Sequence, residues 1–221
     1  MPRMKFYMTP GSCSTAIHII LEELEEIFEV TIVNLLAGDQ YKPDYVAMSP
    51  KSTVPVLVKP DGGALTELPA IAHWLARTHP QAGLWPTDIE TETRLWEIMC
   101  YVTGTLHGQG FARIFVPQSF ARSTAGQENA RRLGHDIVEK GFAILDTGLD
   151  ADSYIAGRFS VADTILFYVL FWADKTSIPL PPTLSAHYKR MLTRPAVRLV
   201  LREEGYNPDG LGQSPHGKIL A

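Results

Sequence analysis

The sequence predicts an α/β domain followed by an all-α domain, and three observations carry that prediction. The N-terminal third alternates β-rich runs with helical periodicity in the order strand, helix, strand, loop, strand, hairpin, strand, helix. That order is a βαβ unit followed by a ββα unit. His79–Asp88 then carries two prolines and a glycine, the composition of a linker. Beyond it every patterned stretch has helical spacing. The expected organisation is residues 1–79, a linker at 80–88 and a helical domain over 89–221.

Each element follows from local pattern. Lys5–Met8 reads as a short buried strand. From Ser14 onward Ile17, Ile20, Leu21 and Leu24 recur at helical spacing, with Glu22, Glu23, Glu25 and Glu26 on the other face. Phe28–Val33 alternates and is β-rich, Leu36–Tyr41 reads as loop, and Pro43–Met48 holds one or two helical turns. Thr53–Val58 has strand character interrupted by Pro55. A proline cannot donate to a sheet ladder, so it belongs at an edge, a first strand position or a turn, and its peptide bond is a candidate for the cis isomer. Asp61-Gly62-Gly63 signals a hairpin into a short strand at Ala64–Thr66. Glu67–Arg77 is a helix with Ile71, Trp74 and Leu75 on one side. In the second half Ile89–Leu106, Gln127–Leu149, Ser160–Trp172 and Thr183–Leu192 read as helices. Ser160-Val161-Ala162-Asp163 has the form of a capping box, with Asp in the acidic position. The tail from Gly205 to Ala221 is rich in Gly, Pro and Asn and is expected to be irregular.

Bulk properties narrow the function. The 221 residues are 45% hydrophobic and 20% charged, with a formal charge of −4. There is no basic run to suit nucleic acid or an anionic membrane. No apolar run approaches the roughly 20 residues that span a bilayer, and no signal-length stretch opens the chain. With two cysteines and no targeting segment, a reducing cytoplasm is the expected compartment. Nothing in the spacing argues for a Cys13–Cys100 disulfide, and the histidines show no ligand spacing with cysteines or carboxylates, so no metal is expected.

Cys13 is the most informative residue. It sits in Thr9-Pro10-Gly11-Ser12-Cys13-Ser14, where a strand meets a turn and then a helix. Unpaired N–H groups and the helix dipole there favour thiolate, the reactive form. Ala16 stands where a C-x-x-C pair would place its second thiol, so a resolving partner must come from outside the chain.

With these features in order, the chain resembles the cytosolic glutathione transferases, in detail the bacterial beta class. The resemblance is carried by Lys5-Phe6-Tyr7, Pro10-Gly11-Ser12-Cys13-Ser14, Ser49-Pro50-Lys51, Val54-Pro55-Val56-Leu57, Leu65-Thr66-Glu67 and Pro69-Ala70-Ile71. Leu106-His107, Gly110-Phe111, Phe159-Ser160-Val161-Ala162-Asp163 and Arg194-Pro195-Ala196-Val197 continue it through the second half. It implies a thioredoxin-like N-terminal domain, a glutathione-transferase helical domain, and a homodimer. It further implies glutathione as cosubstrate with a small hydrophobic electrophile or a disulfide as the second partner. Carried over residue by residue, Cys13 faces the glutathione sulfur. Val54, before a cis Pro55, pairs its backbone with the cysteinyl part. Glu67 meets the γ-glutamyl amine, Leu68 opens the helix whose N-terminus suits the γ-glutamyl carboxylate, and His107 belongs to the active site.

The departures weaken this site. The family usually has a serine where Leu68 stands, and a lost hydrogen bond costs on the order of 1 kcal/mol. The class's asparagine, glutamate and lysine around the histidine are replaced by Cys100, Thr105 and Gly108, with one extra residue before Gly110-Phe111. Two readings follow. One is an enzyme that conjugates glutathione or exchanges thiols through Cys13. The other is a binding module of the same fold with weakened glutathione affinity. Cys100, His18 and Tyr7 read as structural, Cys100 as packed on an apolar helix face.

Overall fold

The computed structural model describes residues 3–212, so the last part of the irregular tail expected from sequence lies outside the described residues. Contacts group the chain into two compact units. One runs to Pro86 and takes in Arg194–Pro208; the other holds Thr87–Thr193 and continues from Asp209.

The first unit is built on a four-stranded mixed sheet in the order β2-β1-β3-β4. Strand β1 (Met4–Met8) pairs in parallel with β2 (Phe28–Ile32), Phe6 opposite Val30, after the crossover helix α1 (Thr15–Glu23). A short helix α2 (Pro43–Met48) leads to β3 (Val56–Val58), which runs antiparallel to β1 with Phe6 opposite Leu57. The Asp61-Gly62-Gly63 turn joins β3 to β4 (Ala64–Thr66), and α3 (Leu68–Thr78) follows. This is the thioredoxin-like arrangement that the element order implies. Strand β3 starts one residue after Pro55, so the proline sits outside the ladder, where its missing N–H costs nothing.

Helix α1 departs from its amphipathic reading. Thr15 through Leu21 are all buried, His18 among them. Sequence order placed the last helix, α9 (Pro195–Glu203), with the domain over 89–221; in the structure it lies in the first unit and packs on α1. The Arg194 guanidinium holds Glu23 through two nitrogens at 2.7 Å each, and Glu26 pairs with His79 at 2.6 Å. The acidic residues at and just beyond the end of α1 thus serve ion pairs, a use that short-range periodicity cannot reveal.

The regular structure of the second unit is helical among its described residues. Asp88 caps α4 (Ile89–Cys100) by accepting the Thr91 N–H at 2.8 Å. The sequence predicts one helix to Leu106. Instead α4 ends at Cys100 and the backbone continues as a π-helix over Tyr101–Phe111 before α5 (Ala112–Phe115). Helices α6 (Thr124–Gly148), α7 (Val161–Thr176) and α8 (Pro182–Thr193) complete the unit. Helix α7 is buried from Val161 to Ala173, as befits a helix apolar on all sides. Its start carries the expected cap: the Ser160 N–H and hydroxyl both donate to the Asp163 carboxylate at 2.8 Å, which also accepts the Ile155 N–H at 3.0 Å. Among the described residues no helix is long and apolar enough to cross a membrane.

Candidate functional site

The turn after β1 sets the position of Cys13. Thr9 closes it by accepting the Ser12 N–H at 3.1 Å and anchors it by donating its hydroxyl to the Val33 carbonyl at 2.6 Å. Gly11 has φ +70°, and a Cβ there would collide with the Tyr206 hydroxyl, so both backbone and space require glycine. Cys13 is buried, 7% exposed, and its thiol donates to the Val54 carbonyl at 3.5 Å. The Val54–Pro55 peptide bond is cis.

Burial decides the protonation of this thiol. Loss of solvent pushes its pKa up to about 12, against the backbone N–H groups of Cys13 and Ser14, which lower it; the negative charge of Glu67 adds slightly to the rise. The helix-start effect expected from sequence is therefore present but outweighed. Cys13 is thus a neutral thiol at physiological pH. Tyr7 packs edge-on against Tyr45, whose hydroxyl donates to the Thr53 carbonyl at 2.7 Å; this confirms Tyr7 as packing.

Glu67 stands immediately before α3 with an exposed side chain and a backbone at φ 72°, ψ 117°. A non-glycine residue held there costs on the order of 1–3 kcal/mol, and such strain collects at functional sites. Its carboxylate accepts from the Lys51 ammonium at 2.7 Å, which also donates to Thr66 at 3.0 Å. Lys51 belongs to a stretch that carried the resemblance, but nothing in its local pattern gave it a role. Leu68, the first residue of α3, turns its side chain into the core and is 5% exposed. In this unit the fold thus brings Cys13 against Val54 and cis Pro55, with Glu67 close enough for its charge to reach the thiol.

His107 lies on the π-helix of the second unit. Its Nδ1 is 3.2 Å from the Tyr168 hydroxyl, and its ring meets Trp172 edge-on at 4.9 Å. Burial pulls its pKa down to about 4, so it is neutral at physiological pH. Cys100 is not packed as the sequence suggests: it is exposed at the end of α4, while its neighbour Met99 points into the core. Both cysteines are free. A cavity of about 280 Å³ in this unit, lined by Tyr154 and His187 among others, includes none of the expected site residues.

Sequence reasoning missed one constellation. Glu204, just past α9 and 8% exposed, accepts the Gly11 N–H and the Thr15 hydroxyl at 2.7 Å each and lies 2.9 Å from His18 Nδ1. A buried carboxylate from the far end of the chain thereby fixes the turn that carries Cys13. No local signal could have found it, because its partners are more than 180 residues away in sequence.

The chain is similar to known proteins over most of its length. The family model for the glutathione S-transferase N-terminal domain matches residues 11–78. Glutathione S-transferase GstA of Escherichia coli O157:H7 is 33% identical over 211 residues, covering 91% of this chain and 99% of that protein. Glutathione S-transferase GST-4.5 of Xanthomonas campestris is 31% identical over 210 residues, covering 92% and 100%. Among solved structures, a glutathione transferase homolog from Sulfitobacter with bound glutathione superposes with a TM-score of 0.84 at 28% identity, covering 92% of this chain and 99% of that one. A bacterial beta class enzyme from Sphingomonas chungbukensis gives 0.78 at 31% identity, covering 91% and 98%.

Proposed function

The chain belongs to the glutathione S-transferase family, and from that premise we propose that it conjugates glutathione to small hydrophobic electrophiles, with Cys13 acting as a hydrogen-bond donor. It is a glutathione transferase with glutathione as cosubstrate. The observation that carries the finer reading is the neutral, buried Cys13 thiol set against the Val54 carbonyl beside cis Pro55. When the cysteinyl segment of glutathione pairs with the Val54 backbone, its sulfur comes to the Cys13 thiol. A protonated Cys13 then donates to the glutathione sulfur and stabilises it as thiolate. The thiolate attacks the electrophilic carbon, a C–S bond forms, the leaving group departs with its electron pair, and the thiol proton passes to solvent. Glu67 takes the γ-glutamyl amine, the α3 N-terminus takes the γ-glutamyl carboxylate, and Lys51, paired with Glu67, offers a cation to this anionic peptide.

A second reading, thiol–disulfide exchange through Cys13 itself, is favoured by the two backbone N–H groups that pull its pKa down. Cys13→Ser separates the two. As a donor, Cys13 can be replaced by serine with conjugation kept within about tenfold, a change of about 1.4 kcal/mol. Thiol transfer through Cys13 would vanish in the same variant. Conjugation lost entirely, with glutathione still bound in calorimetry, would refute the donor role.

We further assign a reducing cytoplasm, in which both thiols stay free, and a homodimer. The exposed Val30 and Ile32 on edge strand β2 and Leu133 and Ile144 on α6 supply apolar contact surface for a second copy. Light scattering at the mass of two chains is expected; a monomer would overturn the assignment.

A further inference from the structure

We propose that His18, Glu22 and Glu203 form a binding site for a divalent transition-metal ion of the zinc type, joining α1 to α9. His18 and Glu22 are four residues apart on α1 and so share one face. Glu203 is the last residue of α9, packed against that face. One donor atom from each of the three lies within 4.8 Å of the others. His18 Nε2 is 3.2 Å from Glu203 Oε2. Two donors at the usual Zn–N and Zn–O lengths of about 2.0–2.2 Å, set at a tetrahedral angle, stand about 3.4 Å apart, so this spacing needs little adjustment.

The independent observation is the other side of the ring. His18 is 4% exposed, and its Nδ1 lies 2.9 Å from Glu204 Oε1. With Glu204 set against Nδ1, the other ring nitrogen, Nε2, is the one that faces Glu203. A carboxylate behind a histidine in this way is the arrangement that fixes the tautomer and raises the basicity of metal-binding imidazoles. One imidazole and two carboxylates suit zinc and its neighbours better than calcium or magnesium. Glu203 is half exposed, which gives the ion a path in. Because Glu204 also holds Gly11 and Thr15, an ion here would tighten the joint that carries the Cys13 turn.

The rival arrangement of the same atoms is metal-free, an imidazolium clamped between Glu203 and Glu204. Calorimetry with zinc chloride on the chelator-treated full chain, without glutathione, distinguishes the two independently of the transferase reading. The expected result is one zinc per chain with a rise in melting temperature, and a dissociation constant about tenfold higher or more in Glu22→Gln and in Glu203→Gln. Both positions are solvent-accessible and their variants should fold, whereas His18 is buried against Phe6 and Phe28 and its replacement could unfold the unit. Absence of zinc binding in the wild type, or equal affinity in the wild type and both variants, overturns the proposal.

Discussion

Leu68 is where one side chain trades stability against binding. It is buried at the start of α3, in the position where the family usually carries a serine hydroxyl. Burying a leucine side chain contributes about 2 kcal/mol, while one hydrogen bond to a carboxylate contributes about 1 kcal/mol or somewhat more. Leu68→Ser should therefore lower the melting temperature while tightening glutathione binding about fivefold. Calorimetry and a thermal melt of the same variant check both arms; unchanged affinity would show that a hydroxyl there does not reach the γ-glutamyl carboxylate. Cys13 teaches a related lesson. The amide N–H groups at a helix start favour thiolate, but removing water from around the sulfur works against them and wins.

At the scale of elements, the π-helix over Tyr101–Phe111 replaces the regular helix that the periodicity predicts up to Leu106. A residue inserted into a helix is absorbed by widening its turns, so that the flanking stretches keep their faces, and such segments gather at functional sites. Here the widened stretch carries His107. It also packs closely on α6: a Cβ on Gly134 would stand 2.8 Å from the Gly110 carbonyl and 3.0 Å from Arg113 Cβ. Backbone cannot yield as a flexible side chain can. Gly134→Ala, although favourable for helix propensity, should destabilise by about 1–3 kcal/mol. Chemical denaturation measures this, and a variant as stable as the wild type would mean that the two helices can separate without cost.

For the whole molecule, acid sensitivity follows from two histidines kept neutral inside the helical unit. Burial lowers His107 to about 4 among Tyr168 and Trp172, and burial followed by the Arg190 charge lowers His187 to about 4 beside Asp163 and Tyr154. Both lie below their ordinary value of 6.5. Between those values the unfolded chain binds more protons than the folded one, so these groups cost no stability above about pH 6.5, and stability falls as pH drops toward 4. His107→Phe keeps an aromatic ring against Trp172 and should flatten part of that slope in urea titrations across this range. An unaltered slope would show that His107 is not held neutral.

Short-range pattern carried the element order of the first unit through α3, the Asp61-Gly62-Gly63 hairpin and the capping of α7 by Ser160 and Asp163. All of these rest on short-range patterns or on motifs read in order along the chain. Tertiary structure decided what depends on distant segments. It returned α9 to the first unit, buried both faces of α1, and set Glu204 behind Gly11 and His18 across more than 180 residues. It decided the state of Cys13 as well, because a pKa reports how much water surrounds a group, and that is known only once the chain has closed around it.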